Sequence, residues 1–260
     1  MGKRIMWINT VGVEDYDAPI AEVLAAVKEA DTEIEVVSLA LPGPVAHVEY
    51  RSYEALALPE VVGLAYDAGR RGVDALVIGC FYDTALAAAR EVSGPMLVTA
   101  PCIAALQTVE ALAGRFSVLA TRRKCVGHIT ENVRAYGAEH RLASVRSLDI
   151  GVAQLQADPR ATATRIEEEA RRAIEEDGAE AILLGCTVEF GFAEEVQKRL
   201  GVPVLDAVAT PFKLAEHLAG LKQRFGWVPS RVGDGEPPPE AEASRFGLSR
   251  TPVIGHRLVA

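Results

Sequence analysis

The sequence predicts an α/β protein with two similar domains, each a four-stranded parallel sheet flanked by helices. Short apolar runs rich in β-branched residues alternate with longer helical patterns. One segment that ends in Gly-Cys also occurs twice, about half the chain apart. Alternating strands and helices are typical of parallel sheets covered by helices. We expect the two domains to be related by pseudo-two-fold symmetry, with the active site between them.

Each half contains four predicted strands in the order strand, helix, strand, helix, strand, helix, strand. The predicted strands are residues 4–9, 34–39, 75–79 and 96–99 in the first half, and 116–121, 145–149, 181–185 and 204–206 in the second. The domains are accordingly predicted at residues 1–100 and 101–222. The helix that ends the second domain is a candidate to pack back on the first.

The repeated segment places one cysteine in each half. Residues 72–80 read GVDALVIGC and residues 178–186 read GAEAILLGC, so Cys80 and Cys186 both follow the third strand of their half. The carboxyl edge of an open parallel sheet is where ligands bind. If the halves face one another, the two thiols meet across one cleft. The alternative is that each cysteine is a small buried apolar residue.

Two opposed thiols suit proton transfer at a carbon next to a carbonyl, because a thiol serves as acid or base near neutral pH. Each cysteine is predicted to precede a helix, whose N–H groups would favour the thiolate and hold an oxyanion. Four polar residues at strand ends are candidates to bind substrate carbonyl oxygens, with capping or turn formation as the alternative. They are Asn9, Thr10, Thr121 and Thr187. Asp83 is expected either to orient a substrate N–H or to cap the following helix.

The remaining cysteines and histidines give weaker signals. Cys102 is expected to be structural, and Cys125 lies beside three basic residues but has no counterpart in the other half. The five histidines show no metal-ligand spacing, and no GxGxxG follows the first strand. We therefore expect neither a metal nor a cofactor.

Composition favours a small-molecule enzyme of the cytoplasm. A net charge of −9 disfavours nucleic-acid binding, which depends on basic side chains. No apolar run reaches the roughly 20 residues that span a bilayer, and the first residues lead into a strand rather than a signal peptide. Residues 227–260 form a predicted Pro- and Gly-rich extension, whose apolar end either docks on a neighbouring subunit or frays.

Residues 3–222 resemble the aspartate/glutamate/hydantoin racemase superfamily. The segment 79–86, GCFYDTAL, is similar to the Gly-Cys-Phe-Gly-Asp-Pro-Gly-Leu motif of its hydantoin and allantoin racemase branch. Tyr82 stands where that motif has Gly, and Thr84 where it has Pro. Residues 184–190, LGCTVEF, are closer to the Gly-Cys-Thr-Glu run of the amino-acid racemases, and residues 8–11 partly match Ile-Asn-Pro-Asn-Thr.

The resemblance implies a cofactor-independent racemase, often a homo-oligomer, with Cys80 and Cys186 as the catalytic pair. It also implies that Phe81 and Tyr82, which follow the first cysteine, contact the substrate. The expected substrate is a hydantoin-like cyclic ureide. The alternatives are racemisation of an acidic amino acid, isomerisation of a maleate-type diacid, or binding of a small ligand without catalysis.

Overall fold

The computed structural model describes residues 2–259, which divide into two compact units. Unit 1 contains residues up to 79, residues 84–100 and residues from 212 onward. Unit 2 contains residues 80–83 and 101–211. Compared with the predicted bounds of 1–100, 101–222 and 227–260, the short segment 80–83 groups with the second unit and the C-terminal residues group with the first.

Nine strands and nine α-helices lie within residues 2–259. The strands are β1 Lys3–Asn9, β2 Thr32–Leu39, β3 Ala75–Gly79, β4 Leu97–Thr99, β5 Phe116–Ala120, β6 Leu142–Ser147, β7 Ala181–Leu184, β8 Val204–Leu205 and β9 Ile254–Val259. The helices are α1 Asp17–Val27, α2 Arg51–Arg70, α3 Leu86–Val92, α4 Pro101–Val109, α5 Arg123–Ala135, α6 Pro159–Asp177, α7 Ala193–Leu200, α8 Ala209–Phe225 and α9 Glu240–Arg245.

The sheet of unit 1 has the order β4-β3-β1-β2-β9. Strands β1 to β4 pair in parallel, whereas β9 runs antiparallel to β2 at the edge. The parallel arrangement flanked by helices confirms the predicted fold class. The predicted count of four strands is wrong for this sheet, because residues 254–259 add a fifth strand within the same chain.

The sheet of unit 2 has the order β6-β5-β7-β8, and all its pairs are parallel. This agrees with the four predicted strands, whose ends shift by one to three residues. The helix before β7 has defined ends: the Asp158 carboxylate accepts the N–H of Ala161 at 3.0 Å, and Gly178 leaves the helix at φ +73°. The repeated segment therefore begins with a helix-ending glycine.

The central strands are buried on both faces. Trp7 and Ile8 of β1 and Leu76 and Ile78 of β3 are inaccessible to solvent, which accounts for their continuous apolar sequence. The core of unit 2 is formed by apolar side chains of its strands and of α4 and α5, including Phe116, Val118, Leu183 and Ile129. No helix within residues 2–259 has both the length and the apolar character needed to cross a bilayer.

Candidate active site

Cys80 and Cys186 follow the ends of β3 and β7, and their sulfur atoms have matching local contacts. The Sγ of Cys80 accepts the backbone N–H of Tyr82 at 3.5 Å, and the Sγ of Cys186 accepts that of Val188 at 3.5 Å. An N–H donated to sulfur stabilises a thiolate more than a thiol. The duplicated sequence thus gives duplicated local contacts at both strand ends.

The predicted helix after each cysteine takes different forms in the structure. Cys186 is followed directly by the 3-10 helix Thr187–Glu189. Cys80 is followed by a turn, and α3 begins only at Leu86. The expectation of a helix N-terminus at Cys80 is therefore wrong, because residues 83 and 85 adopt positive φ angles that interrupt a helix. In place of a helix N-terminus, the backbone N–H of Tyr82 in the turn donates to the sulfur of Cys80.

The glycines before the two cysteines lie where the chain has no room for a side chain. A Cβ on Gly79 would lie 2.5 Å from the indole Nε1 of Trp7. A Cβ on Gly185 would lie 2.4 Å from the carbonyl oxygen of Leu119. Real Cβ atoms do not approach other atoms so closely. Close packing against β1 and β5 therefore explains why each motif has Gly immediately before Cys.

Tyr82 lies close enough to Cys80, Cys125 and Cys186 for all three to influence the pKa of its phenol. Burial raises the pKa of Tyr82 far above its ordinary value, and a hydrogen bond with Cys125 and the charges of Cys80 and Cys186 raise it further. The phenol is therefore neutral at physiological pH, and its single O–H donates to Cys125. Its ring stacks on His128 with centroids 4.0 Å apart, which fixes the direction in which the hydroxyl points.

Cys125 is a member of this site that the sequence did not reveal. It lies in the first turn of α5, is buried, and contacts the hydroxyl of Thr121 at 3.4 Å as well as Tyr82. The same helix supplies His128, and Asn132, whose amide donates to the carbonyl oxygen of Tyr82 at 2.7 Å. Positions 125, 128 and 132 share one helix face, and this spacing was the signal available in the sequence.

Phe81 and Asp83 occupy structural positions beside Tyr82. Phe81 packs in the apolar core of unit 2. The Asp83 carboxylate accepts the N–H groups of Cys102 at 2.9 Å and Ile103 at 2.8 Å. Asp83 thus caps α4, not the helix that follows it in sequence. Burial raises the pKa of Cys102, consistent with the structural role expected for that thiol.

The other predicted substrate contacts lie at three strand ends. Thr121 is buried after β5, and Thr187 is half-buried after Cys186, both in unit 2. Asn9 and Thr10 are buried at the end of β1 in unit 1. Asn9 lies opposite Gly79 in the β1–β3 ladder, one residue before Cys80. The structure therefore brings Tyr82, Thr121 and both cysteines together in unit 2, and aligns Asn9 with the strand that leads to Cys80.

Glu189 is a fully buried carboxyl group at the end of the 3-10 helix that follows Cys186. Its exposed fraction is 0%, and neither carboxyl oxygen has a partner of hydrogen-bond geometry among the described residues. Burial raises the pKa of Glu189 well above its ordinary value, the N–H groups of Cys186 and Gly185 oppose this only partly, and Asp206 adds to it. Burial therefore favours the protonated, neutral form of the Glu189 carboxyl group.

Replacing Glu189 by glutamine is expected to stabilise the protein increasingly as the pH rises. The unfolded chain releases the proton above the ordinary glutamate pKa of about 4.3, whereas the folded protein keeps it. The free energy of unfolding of the wild type therefore falls by about 1.4 kcal/mol per pH unit above that value, until the folded pKa is reached. Glu189→Gln lacks this loss, so in urea unfolding the difference in the free energy of unfolding between the variant and the wild type grows as the pH rises above about 4.

The matched control for this prediction is Glu194→Gln. Glu194 is exposed and pairs with Lys198, which lowers its pKa. For Glu194→Gln, the difference in the free energy of unfolding between the variant and the wild type should stay constant above about pH 5, since a lowered pKa changes stability only in acid. If this difference is also constant for Glu189→Gln, Glu189 is ionised in the folded protein over the same pH range as in the unfolded chain.

Comparisons with known proteins identify the family. Residues 5–215 match the sequence profile of the Asp/Glu/hydantoin racemase family. The chain is 37% identical to a hydantoin racemase of Rhizobium meliloti over 230 residues, which cover 88% of this chain and 92% of the relative. It is 38% identical to a hydantoin racemase of Pseudomonas sp. (strain NS671) over 196 residues, covering 75% and 77% of the two chains.

A solved structure agrees with these relatives. An allantoin racemase from Klebsiella pneumoniae superposes with a TM-score of 0.83 at 30% identity, covering 92% of this chain and 95% of that one. The predicted resemblance and the prediction of a racemase-type enzyme are therefore confirmed at the level of the family. The chain belongs to the Asp/Glu/hydantoin racemase family and is an enzyme of the racemase type.

Proposed function

We propose that the protein racemises a 5-substituted hydantoin or a similar cyclic ureide, with Cys80 and Cys186 as acid and base and without a cofactor. One observation carries the proposal: both sulfurs follow equivalent strands and accept equivalent N–H groups, and the charge of each raises the pKa of the same Tyr82 phenol. A pair of acid–base groups with matched surroundings is what inversion of one stereocentre requires.

The reaction proceeds by transfer of one proton on each side of the ring. The thiolate of one cysteine takes the proton from C5, and the electron pair of the C–H bond passes into the adjacent carbonyl to form an enolate. The thiol of the other cysteine then donates its proton to the opposite face of C5. The enzyme is left with the two protonation states exchanged, which is the form that acts on the other enantiomer. Proton exchange between the cysteines and solvent restores the first form, so that a further molecule of the starting enantiomer can react.

Tyr82, Thr121, Thr187, Asn9 and Thr10 are proposed as substrate ligands. Hydroxyl groups donate hydrogen bonds to the ring carbonyls, where negative charge develops in the enolate. The phenol O–H of Tyr82 would turn from Cys125 to a ring carbonyl when the substrate binds. The ring of Tyr82 also limits the size of the substituent at C5. Phe81 and Asp83 are proposed to act indirectly, by anchoring the turn that carries Tyr82 to the core and to α4.

The relatives, which are hydantoin and allantoin racemases, support the substrate class. Hydantoin and allantoin are both cyclic ureides with a hydrogen on a carbon next to a carbonyl. The Gly-Cys-Thr segment at residues 185–187 favours a second candidate, an acidic amino acid or a maleate-type diacid. The two candidates differ in charge and ring structure, so a substrate panel separates them.

The proposal is tested by incubating the purified protein with single enantiomers of 5-substituted hydantoins, allantoin, aspartate and glutamate, and with maleate. Circular dichroism follows the chiral substrates, and proton NMR follows maleate. We expect loss of optical activity with a hydantoin or allantoin above the buffer rate, and none with the free acids. Turnover of the free acids alone would select the second candidate. No turnover of any of these substrates would contradict both. The cytoplasmic location and the homo-oligomeric state stay predictions from the sequence.

A further inference from the structure

The C-terminal strand β9 contributes one polar side chain to a buried network of unit 1. His256 lies opposite Ser38 in the β2–β9 pair. Its Nδ1 lies 2.5 Å from Oδ2 of Asp17. The other carboxylate oxygen of Asp17 accepts the hydroxyl of Ser38 at 2.6 Å and the side-chain amide of Asn9 at 2.6 Å. A continuous chain of hydrogen bonds therefore links β9 to the end of β1.

We infer that His256 is a positioning residue that, through Asp17, fixes the side-chain amide of Asn9 at the strand end opposite Gly79. The inference rests on the proposed function, in which Asn9 binds the cyclic ureide. His256 itself touches no substrate in this account.

The contacts of Asn9 show what the network achieves. Its Oδ1 accepts the indole N–H of Trp7 at 2.7 Å, and one N–H of its amide is donated to Asp17. An asparagine amide has two N–H donors and two acceptor lone pairs. One donor and one acceptor thus remain for a ligand that offers both C=O and N–H groups, as a ureide ring does. The bonds to Trp7 and Asp17 determine the direction in which the remaining donor and acceptor of Asn9 point.

Asp17 depends on His256 because its carboxylate is buried. The residue is only 1% exposed, and a buried carboxylate is costly unless a cation pairs with it. The hydrogen bond to Asp17 raises the pKa of His256, and Glu14, whose Oε2 lies 3.3 Å from Nε2, adds to the effect. Asp17 and Glu14 are the ionisable groups that face the imidazole, while β2 contributes the neutral Ser38.

Arg257 follows His256 on β9, so its side chain lies on the opposite face of the strand. It pairs with Glu35 at 2.9 Å. The segment before β9 is held separately: Glu240 of α9 bonds with Tyr66 at 2.5 Å and Arg70 at 2.8 Å, and Arg231 donates to the carbonyl oxygens of Arg90 and Glu91. Loss of the His256 imidazole should therefore leave this segment in place.

The test compares His256→Ala, Asp17→Asn and the double variant with Arg257→Ala as the matched control. With the ureide that the wild type racemises, we expect His256→Ala and Asp17→Asn each to raise KM about tenfold, the size of one lost hydrogen bond, with kcat within about threefold. The double variant should be no worse than the more impaired single variant, because both act through one network. Arg257→Ala should change neither constant by more than about twofold. Unchanged KM in His256→Ala, or additive losses, would overturn the inference.

A second readout is independent of turnover. In the full-length protein, proton–nitrogen NMR of the Asn9 side-chain amide should show a shifted signal and faster hydrogen exchange in His256→Ala, but not in Arg257→Ala. An Asn9 signal that is identical in wild type and His256→Ala would overturn the inference even if racemisation is confirmed. A shifted signal with no turnover by the wild type would support the positioning step and contradict the proposed function instead.

Discussion

Cys80→Ala and Cys186→Ala are each expected to lower kcat/KM for racemisation at least about 1000-fold, because general acid or base catalysis contributes about 10² to 10⁴ and each cycle needs both groups. Alanine removes the sulfur but keeps the backbone turn. The residual reactions should differ in a defined way. Each single variant retains the base for one enantiomer only, so slow hydrogen exchange at C5 should favour opposite enantiomers in the two variants. Enantiopure substrates in D2O, followed by proton NMR, measure this preference.

Cys102→Ala is the matched control, since Cys102 is a buried thiol of the same unit but does not belong to the repeated Gly-Cys segment. It should keep kcat/KM within about threefold, although the lost side chain costs about 1 kcal/mol of stability. Activity above a tenth of the wild type in either Cys80→Ala or Cys186→Ala would contradict the roles assigned to these residues. Exchange that favours the same enantiomer in both variants would contradict their opposition.

Gly185→Ala is expected to lower the free energy of unfolding by about 3 kcal/mol, because its Cβ would meet the Leu119 carbonyl oxygen at 2.4 Å. That oxygen accepts the N–H of Gly185 at 2.8 Å. Neither group can move without separating β7 from β5. The displacement also moves Cys186, so activity should fall more than stability alone explains. Urea unfolding and racemisation of the same preparation measure the two losses.

Gly63→Ala provides the control for this substitution. Gly63 lies within α2, and a Cβ there would meet nothing within 4 Å. Alanine is the better helix former, so this variant should gain about 0.5–1 kcal/mol. A Gly185→Ala protein as stable as the wild type would show that the close approach of β5 to the Cys186 strand is absent in solution.

The fold was predictable where burial dictates the sequence. Strands β1, β3, β5 and β7 are buried on both faces, so their apolar runs stand out against the amphipathic helices. Strand β9 was not predicted because its residues alternate only between half-buried and exposed. Strand β9 is held by backbone hydrogen bonding to β2 and by the polar contacts of His256 and Arg257, and neither produces an apolar pattern in the sequence.

The candidate site was predictable where the sequence repeats. Cys80 and Cys186 stood out because their segments match and end equivalent strands. The Cys125 environment was not found, since its contact with Tyr82 joins elements that are distant in sequence. Likewise, the Asp83 carboxylate caps α4 across a turn, and no spacing rule within one helix predicts that partner.

Isotope labelling during the first few per cent of racemisation in D2O tests the two-thiol account most directly. Starting from one enantiomer, the account predicts that the product enantiomer carries one deuterium at C5 while the recovered substrate stays protiated, after correction for buffer exchange. The product receives its hydrogen from a group that has exchanged with solvent, whereas the recovered substrate keeps its own, only if two different groups act on opposite faces of C5. Deuterium appearing equally fast in recovered substrate and product would indicate a single base and contradict the paired roles of Cys80 and Cys186.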